Sequence, residues 1–369
     1  MTGPLATGPL AGLRVVELAG IGPAPFAGML LADLGADVVR IDRPGEPALA
    51  VVPPEQDVLG RGKRSVALDL KHPDGVRRVL DLVERSDLVL EGMRPGVAER
   101  LGVGPDDCLA RQPSLVYGRM TGWGQDGPAA DTAGHDITYV AVTGALGASA
   151  PPSDPPMPPL NLLGDFAGAT YLVVGLLSAL HWSRMSGAGQ VVDAAMVDST
   201  AHLTTMFHGL LAAGAWTDRP GSNLLDGGAP FYGTYRTADG GWMAVGALEP
   251  AFYAELLTQL GIEAVDPVDR TDPSTWPVLR QRIADAFATR TRDEWTEVFA
   301  GSDACVAPVV SLLEAQQSPH LVARGTFVEH GGVVQPAPAP RFSRTPGELD
   351  RLPPTAGQHT DEVLAEWLG

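Results

Sequence analysis

Leu13–Asp42 reads LRVVELAGIGPAPFAGMLLADLGADVVRID. Arg14–Leu18 is a short apolar run suited to a strand buried on both faces, and Pro25–Leu34 carries a helical pattern with Pro in its first turn. Gly35 stops that helix, and Asp37–Ile41 opens a second apolar strand. Strand, helix and strand in so short a span make a βαβ unit, with parallel strands and a right-handed crossover. The alternation continues outward: Val66–Leu70, Leu88–Glu91 and Leu115–Arg119 read as strands, Pro73–Arg85 and Pro105–Gln112 as helices. The expected architecture is α/β, a large Rossmann-like domain on a parallel sheet.

Beyond Met120 the pattern changes. Gly122–Gly134 is a polar, Gly-rich loop opening into a helix over Asp136–Leu146, and Ala150–Pro159 is Pro-dense and extended. Gly164–Trp182 reads as a long apolar helix, Gln190–Ala194 as a strand and Met196–Ala215 as one further helix. These boundaries predict a large domain over 1–200, completed by 330–369, and a linker helix and loop over 201–228, with Asp218–Pro230 its most turn-rich part. A smaller α+β domain over 229–329 follows. It starts with a hairpin, Phe231–Thr237 and Gly241–Gly246 joined by Ala-Asp-Gly, and continues with helices at Pro250–Leu260, Pro277–Thr289 and Asp293–Ala300. The last helix is announced by the capping box Thr291–Glu294, and Cys305–Val310 is a strand. Pro336–Pro354 is a Pro-rich return segment that takes the tail back towards the first domain.

The charge balance narrows the ligand class. The 369 residues carry a formal net charge of −18, yet 14 of the 26 Lys and Arg lie in the first 120 residues. A diffuse nucleic-acid or anionic-membrane binder needs a basic face, so neither partner is expected. A local basic cluster (Arg40, Arg43, Arg61, Lys63, Arg64, Lys71, Arg94, Arg100) on an acidic chain suits a small polyanion. Cys108 and Cys305 give neither a disulfide framework nor a zinc site. Met1–Leu18 has no signal-peptide pattern, and Phe166–Trp182 is expected to be too short and too Gly-punctuated to span a bilayer. A cytoplasmic location is expected.

Gly20-Ile-Gly-Pro-Ala-Pro25 follows a strand and opens a helix, with Asp42 some way downstream, which invites a dinucleotide reading. Pro25 replaces the third glycine, however, and Pro23 and Pro25 remove two N–H groups that would cradle phosphate. A plain tight turn, or a nucleotide whose phosphates are held by side chains, fits equally. Arg40 and Arg43 at one strand end, and Arg94 and Arg100 after another, favour the side-chain option, because a planar guanidinium grips phosphate bidentately.

Three groups could move protons. His135 in Gly134-His-Asp136 stands at a helix start, which favours the neutral imidazole a base must be. Asp165 in Asn161-Leu-Leu-Gly-Asp-Phe166 and Glu249 in Leu248-Glu-Pro250 also open helices, where a simple capping role competes with catalysis. Spacing alone does not say which protons would move.

Nine segments then fall in order: Leu13–Pro23, Leu31–Pro44, Glu91–Gly102, Arg119–Gly124, Gly134–Asp136, Leu160–Phe166, Gln190–Asp198, Leu225–Tyr232 and Val245–Pro250. Together they resemble the family III CoA-transferase superfamily over essentially the full chain, and within it the α-methylacyl-CoA racemase branch of bacterial, mycobacterial type. The resemblance implies the family III CoA-transferase fold, an interlocked homodimer with active sites shared between chains, and acyl-CoA as ligand. It places Arg43, Leu68, Lys71 and Arg94 around the adenosine phosphate end, Arg100 at the pyrophosphate, and Gly134 and Asp136 beside the thioester. Arg40-Ile-Asp42-Arg43 departs from the family's usual strand end, so the two arginines need not share phosphate in the usual way.

The racemase branch implies removal and return of the α-proton of a 2-methylacyl-CoA, with His135 and Asp165 on opposite faces of an enolate and Glu249 hydrogen-bonded to His135. The transferase branch implies instead that Asp165 attacks the thioester as a nucleophile. A noncatalytic acyl-CoA-binding relative is the third option. No metal or separate cofactor is expected, CoA being part of the substrate. Met196, Met206, Trp216, Phe231 and Tyr232 are candidates for the acyl-chain surface.

Overall fold

The computed structural model describes residues 8–45, 52–150, 155–262, 270 and 272–369. Part of the Met1–Leu18 reading (1–7) and part of the Pro-dense stretch (151–154) lie outside the described residues. In chain order the elements begin with β1 (Arg14–Leu18), α1 (Pro23–Asp33), β2 (Asp37–Asp42), β3 (Arg64–Ala67), α2 (Pro73–Glu84), β4 (Leu88–Glu91), α3 (Val97–Arg100), α4 (Pro105–Arg111) and β5 (Val116–Thr121). They continue through α5 (Asp136–Val142), α6 (Ala145–Ala148), a π-helical turn (Leu162–Phe166), α7 (Ala167–Ser186), β6 (Gln190–Ala195), α8 (Met196–Leu203) and α9 (Thr205–Ala212). The remainder comprises β7 (Tyr232–Arg236), β8 (Trp242–Gly246), α10 (Pro250–Gln259), α11 (Trp276–Phe287), α12 (Arg292–Phe299), β9 (Val306–Pro308), α13 (Leu312–Ala315), α14 (Pro319–Ala323), β10 (Phe327–His330), β11 (Val333–Pro336) and α15 (Thr360–Leu368).

Two compact units result. The first holds the described residues of Met1–Thr143, Pro159–Leu203 and His320–Gly369, the second those of Gly144–Pro158 and Thr204–Pro319. The expected linker 201–228 therefore divides: α8 closes the first unit, and 204–228 belongs to the second.

The first unit is built on a six-stranded sheet in the order β3-β2-β1-β4-β5-β6, every pairing parallel. Side chains alternate across it. Val15 joins a core with Ala27 and Leu31 of α1 and Leu172 and Leu176 of α7; Val16 and Leu18 join another with Leu82 of α2 and Trp367 of α15. Helices on both faces explain why the strands are apolar runs rather than alternating ones. The edge strand β3 is closed by the C-terminal segment. His359 donates its N–H to Ser65 O, Ala67 N–H donates to the Thr360 hydroxyl, and Arg64 pairs with Asp37, Glu362 and Glu366.

The second unit has its own three-stranded antiparallel sheet, β7-β8-β9. Tyr235, Met243, Phe287, Trp295 and Phe299 form its core. The turn-rich stretch before it is tightly organised. Asn223 is buried and donates to Thr217 O and Asp226 Oδ2, and Asp226 accepts from Gly221, Asn223 and Gly228 N–H.

Several expected elements change. The third strand starts at Arg64 rather than Val66, because Arg64 and Ser65 are buried with their polar groups bonded. The helix from Asp136 breaks at Gly144, which adopts φ 84°, a left-handed conformation favouring glycine. The helix from Met196 is interrupted at Thr204. The apolar helix is longer than expected: the π turn and α7 form Leu162–Ser186, long and apolar enough by length and composition to cross a membrane. Its Leu172, Leu176 and Ala179 are buried in the core of the first unit.

Candidate active site

Because the sheet is parallel, all six strands end at one edge, and the chain reverses direction of build between β1 and β4. Open α/β sheets hold ligands at such a switch point. Arg43 follows β2, Leu68 and Lys71 follow β3, Arg94 follows β4, and Arg100 ends α3. The structure divides the basic cluster in two. Arg61, Lys63 and Arg64 are buried and bound to carboxylates, at Asp33, Glu17 and Asp37 respectively. Arg40 is bound to Asp42 at 2.9 Å and to the Pro354 carbonyl. Arg43, Lys71, Arg94 and Arg100 are exposed, and none forms an ion pair among the described residues. They are the cations left for a polyanion, while the three buried ones hold the fold together.

The first unit also brings three of its turns together. The β1–α1 turn ends at Gly22, whose φ of 72° leads into Pro23 at the first position of α1. The π turn carries Asp165 towards it: a Cβ placed on Gly22 would stand 3.4 Å from Asp165 Oδ2. Phe26 stacks on Phe166 with ring centroids 4.5 Å apart, fixing the turn against α1. The helix start that a dinucleotide pyrophosphate would occupy therefore faces a carboxyl group, which excludes that reading of Gly20–Pro25 on charge as well as on missing N–H groups.

Asp165 is half-buried and not a cap. The cap position of α7 is Phe166, with no side-chain bond. Asp165 Oδ2 accepts from Asn161 Nδ2 at 3.0 Å. Burial pushes the Asp165 carboxyl above the usual range; the Asn161 bond pulls it down, the Asp136 charge raises it and His135 lowers it. Asp136 opens α5 and is buried, and its Oδ1 accepts from the N–H groups of both Gly164 and Asp165 at 2.8 Å. His135 is exposed at the cap position of α5, its backbone held by the Thr138 hydroxyl at 3.0 and 2.7 Å. Gly134 and Gly122 let the chain close over the Tyr139 ring, which meets Trp123 edge-on at 4.8 Å.

The first unit thus brings His135, Asp136 and Asp165 together, with Gly134 in the same turn. Glu249 belongs to the second unit, where its extended backbone caps α10 and its side chain is exposed. Asn161 and Tyr139 also act on Asp165, and sequence reasoning passed over both. The nearest signal was Asn161 four residues before Asp165, one turn apart on a helical reading. A half-buried carboxyl whose affinity for its proton is raised, with an imidazole beside its supporting turn, has the chemistry of a proton-transfer site.

Residues 10–360 match the model of CoA-transferase family III. The chain belongs to that family. It is 45% identical over 361 residues to the alpha-methylacyl-CoA racemase of Mus musculus, covering 97% of this chain and 93% of that protein. The beta subunit of succinyl-CoA–L-malate CoA-transferase from Chloroflexus aurantiacus is 32% identical over 393 residues, covering 100% of this chain and 96% of that protein. Among solved structures, a CAIB/BAIF family protein from Brucella suis superposes with a TM-score of 0.83 at 27% identity, covering 98% of this chain and 100% of that one. Membership accounts for the six-stranded parallel sheet and for the order of the nine sequence segments.

Proposed function

We propose that this family III protein racemises 2-methylacyl-CoA thioesters by 1,1-proton transfer through an enolate. The observation that carries the reading is the pairing of Asp165, half-buried and held above the ordinary carboxylate range, with His135 on the adjoining turn. The 45% identity to the mouse racemase supports it. Asp165 and His135 serve opposite faces of the α-carbon, one removing the proton while the other returns one. The N–H groups at the start of α5, around Gly134 and Asp136, face the developing enolate oxygen.

Arg43, Lys71 and Arg94, with Leu68, take the 3′-phospho-ADP end of CoA, and Arg100 takes the pyrophosphate. Their exposure without carboxylate partners supports that assignment. Glu249 sets the tautomer of His135 in a homodimeric, cytoplasmic enzyme that uses no metal.

Asp165 could instead act as a nucleophile on the thioester, the reading favoured by similarity to a CoA-transferase. A single-enantiomer 2-methylacyl-CoA in D₂O, without an acceptor acid, separates the two. Proton NMR is expected to show loss of the α-proton signal and growth of the other epimer. Retention of the α-proton over a panel of acyl chains, with CoA exchange on adding a carboxylic acid, would establish the transferase. His135→Ala and Asp165→Ala should each abolish exchange while CoA still binds.

A further inference from the structure

The geometry points to Asp136 as a positioning residue that ties the two proton-transfer groups to one another. It follows His135 directly in the chain, and its carboxylate grips both N–H groups of the turn that carries Asp165. This inference rests on the racemase reading for its chemistry. Its geometry stands independently.

A racemase needs two groups on opposite sides of one carbon, and here those groups sit on different elements. His135 precedes α5, whereas Asp165 belongs to the π turn ahead of α7. Tenths of an ångström matter in such a pair, and a misplacement of about 1 Å costs on the order of a hundredfold in rate. One carboxylate oxygen spans the gap, Asp136 Oδ1 accepting from Gly164 N–H and Asp165 N–H at 2.8 Å each. Gly164 is required for this approach, because a Cβ there would come within 2.5 Å of Oδ1. Buried side-chain acceptors that collect two N–H groups from a distant turn hold backbone firmly.

The second oxygen, Oδ2, is buried and has no hydrogen-bond partner among the described residues. Among the described residues, therefore, none takes the rest of the carboxylate for another structural bond, and its charge acts on Asp165 across the turn. The groups surrounding Asp165 are few. His135, Asp136 and Tyr139 come from the α5 side, Asn161 from the start of its own turn, and the β1–α1 turn offers the uncharged Gly22. Asp198 of α8 acts on Asp193 instead. Asp136 is the one carboxylate among these that acts on Asp165.

Two variants separate grip from charge. Asp136→Asn keeps an acceptor oxygen for the two N–H groups and removes the charge; Asp136→Ala removes both. Hydrogen exchange by mass spectrometry on a peptide covering 162–166 should show protection near wild type in Asp136→Asn and about tenfold faster exchange in Asp136→Ala. In the epimerisation assay, Asp136→Ala should lower kcat about a hundredfold with KM within roughly threefold, and Asp136→Asn should recover most of that loss. Without the Asp136 charge, the acid limb of the Asp136→Asn profile should move to lower pH.

Unchanged amide exchange in Asp136→Ala would overturn the grip. A loss confined to KM would make Asp136 a CoA contact instead, as would an unmoved pH profile with kcat intact. A wild-type protein that leaves the α-proton in place would sink the racemase reading alone, and amide exchange would still decide the role of Asp136.

Discussion

Asn161 Nδ2 lies 3.0 Å from Asp165 Oδ2, four residues apart on one π-helical turn. This bond stabilises the charged carboxylate, opposing burial and the Asp136 charge, which favour the proton-bound form. Asn161→Ala should therefore raise the Asp165 pKa further and move the acid limb of kcat/KM to higher pH. Rates should fall several-fold at the acid end and converge with wild type at alkaline pH, as a pH-rate profile would show. Stability follows the same sign. The folded carboxyl binds its proton more tightly than the unfolded one, so its contribution is full at low pH and is lost as pH rises through the folded value.

Lys63 and Glu17 form an ion pair with no solvent exposure on either side chain. Nζ also donates to the Pro25 carbonyl at 2.9 Å, so the pair anchors the first turn of α1 that faces Asp165. Burial pushes Glu17 up and Lys63 down, and each partner opposes the other's shift. Lys63→Met or Glu17→Gln alone should each cost about 3–5 kcal/mol, measured by denaturant unfolding, because an unpaired buried polar group remains. The combined Lys63→Met, Glu17→Leu protein should recover most of that loss.

The division of the basic residues predicts a division of phenotypes. Arg43→Ala, Arg94→Ala or Arg100→Ala should raise the KM for acyl-CoA about tenfold or more, with an unchanged melting temperature and a weaker salt dependence. Arg61→Ala should instead lower the melting temperature, since Arg61 is bound to Asp33, Gln335 and the Pro336 carbonyl. Titration of CoA by calorimetry, alongside thermal melts, distinguishes the two groups.

Gly22→Ala places a side chain on a residue with φ 72°, in van der Waals contact with Asp165. The backbone strain should cost about 1–3 kcal/mol, and kcat should fall more than KM rises, because the strained turn lies against the carboxyl rather than against a CoA contact. Steady-state kinetics with a melt on the same preparation checks both.

The strands were legible where burial on both faces demanded apolar runs, as in Arg14–Leu18 and Leu88–Glu91. Arg64–Ala67 was legible only in part, because its first two residues are polar groups buried with partners from the far end of the chain. Helix starts were legible where capping is local: Thr291 and Glu294 close their box as expected. Breaks at Gly144 and Thr204 were hidden inside apolar runs whose composition suits a continuous helix. In the site, His135 and Asp165 stood out by residue type at loop–helix junctions. The role of Asp136 did not, because a bond to the backbone of residue 165 leaves no periodic trace. Asp165 itself reads as a helix cap until its turn is seen to be π-helical.

The closure of β3 by residues 359–367 sets an order in time. Its pairing with β2 is encoded within the first 70 residues, yet the Thr360 hydroxyl that covers Ala67 lies 293 residues further along the chain. Until then the nascent sheet presents an unpaired strand edge, the feature most prone to pairing with another chain. A chain from which residues 359–367 are deleted would thus keep every candidate catalytic group and still be an aggregation-prone product.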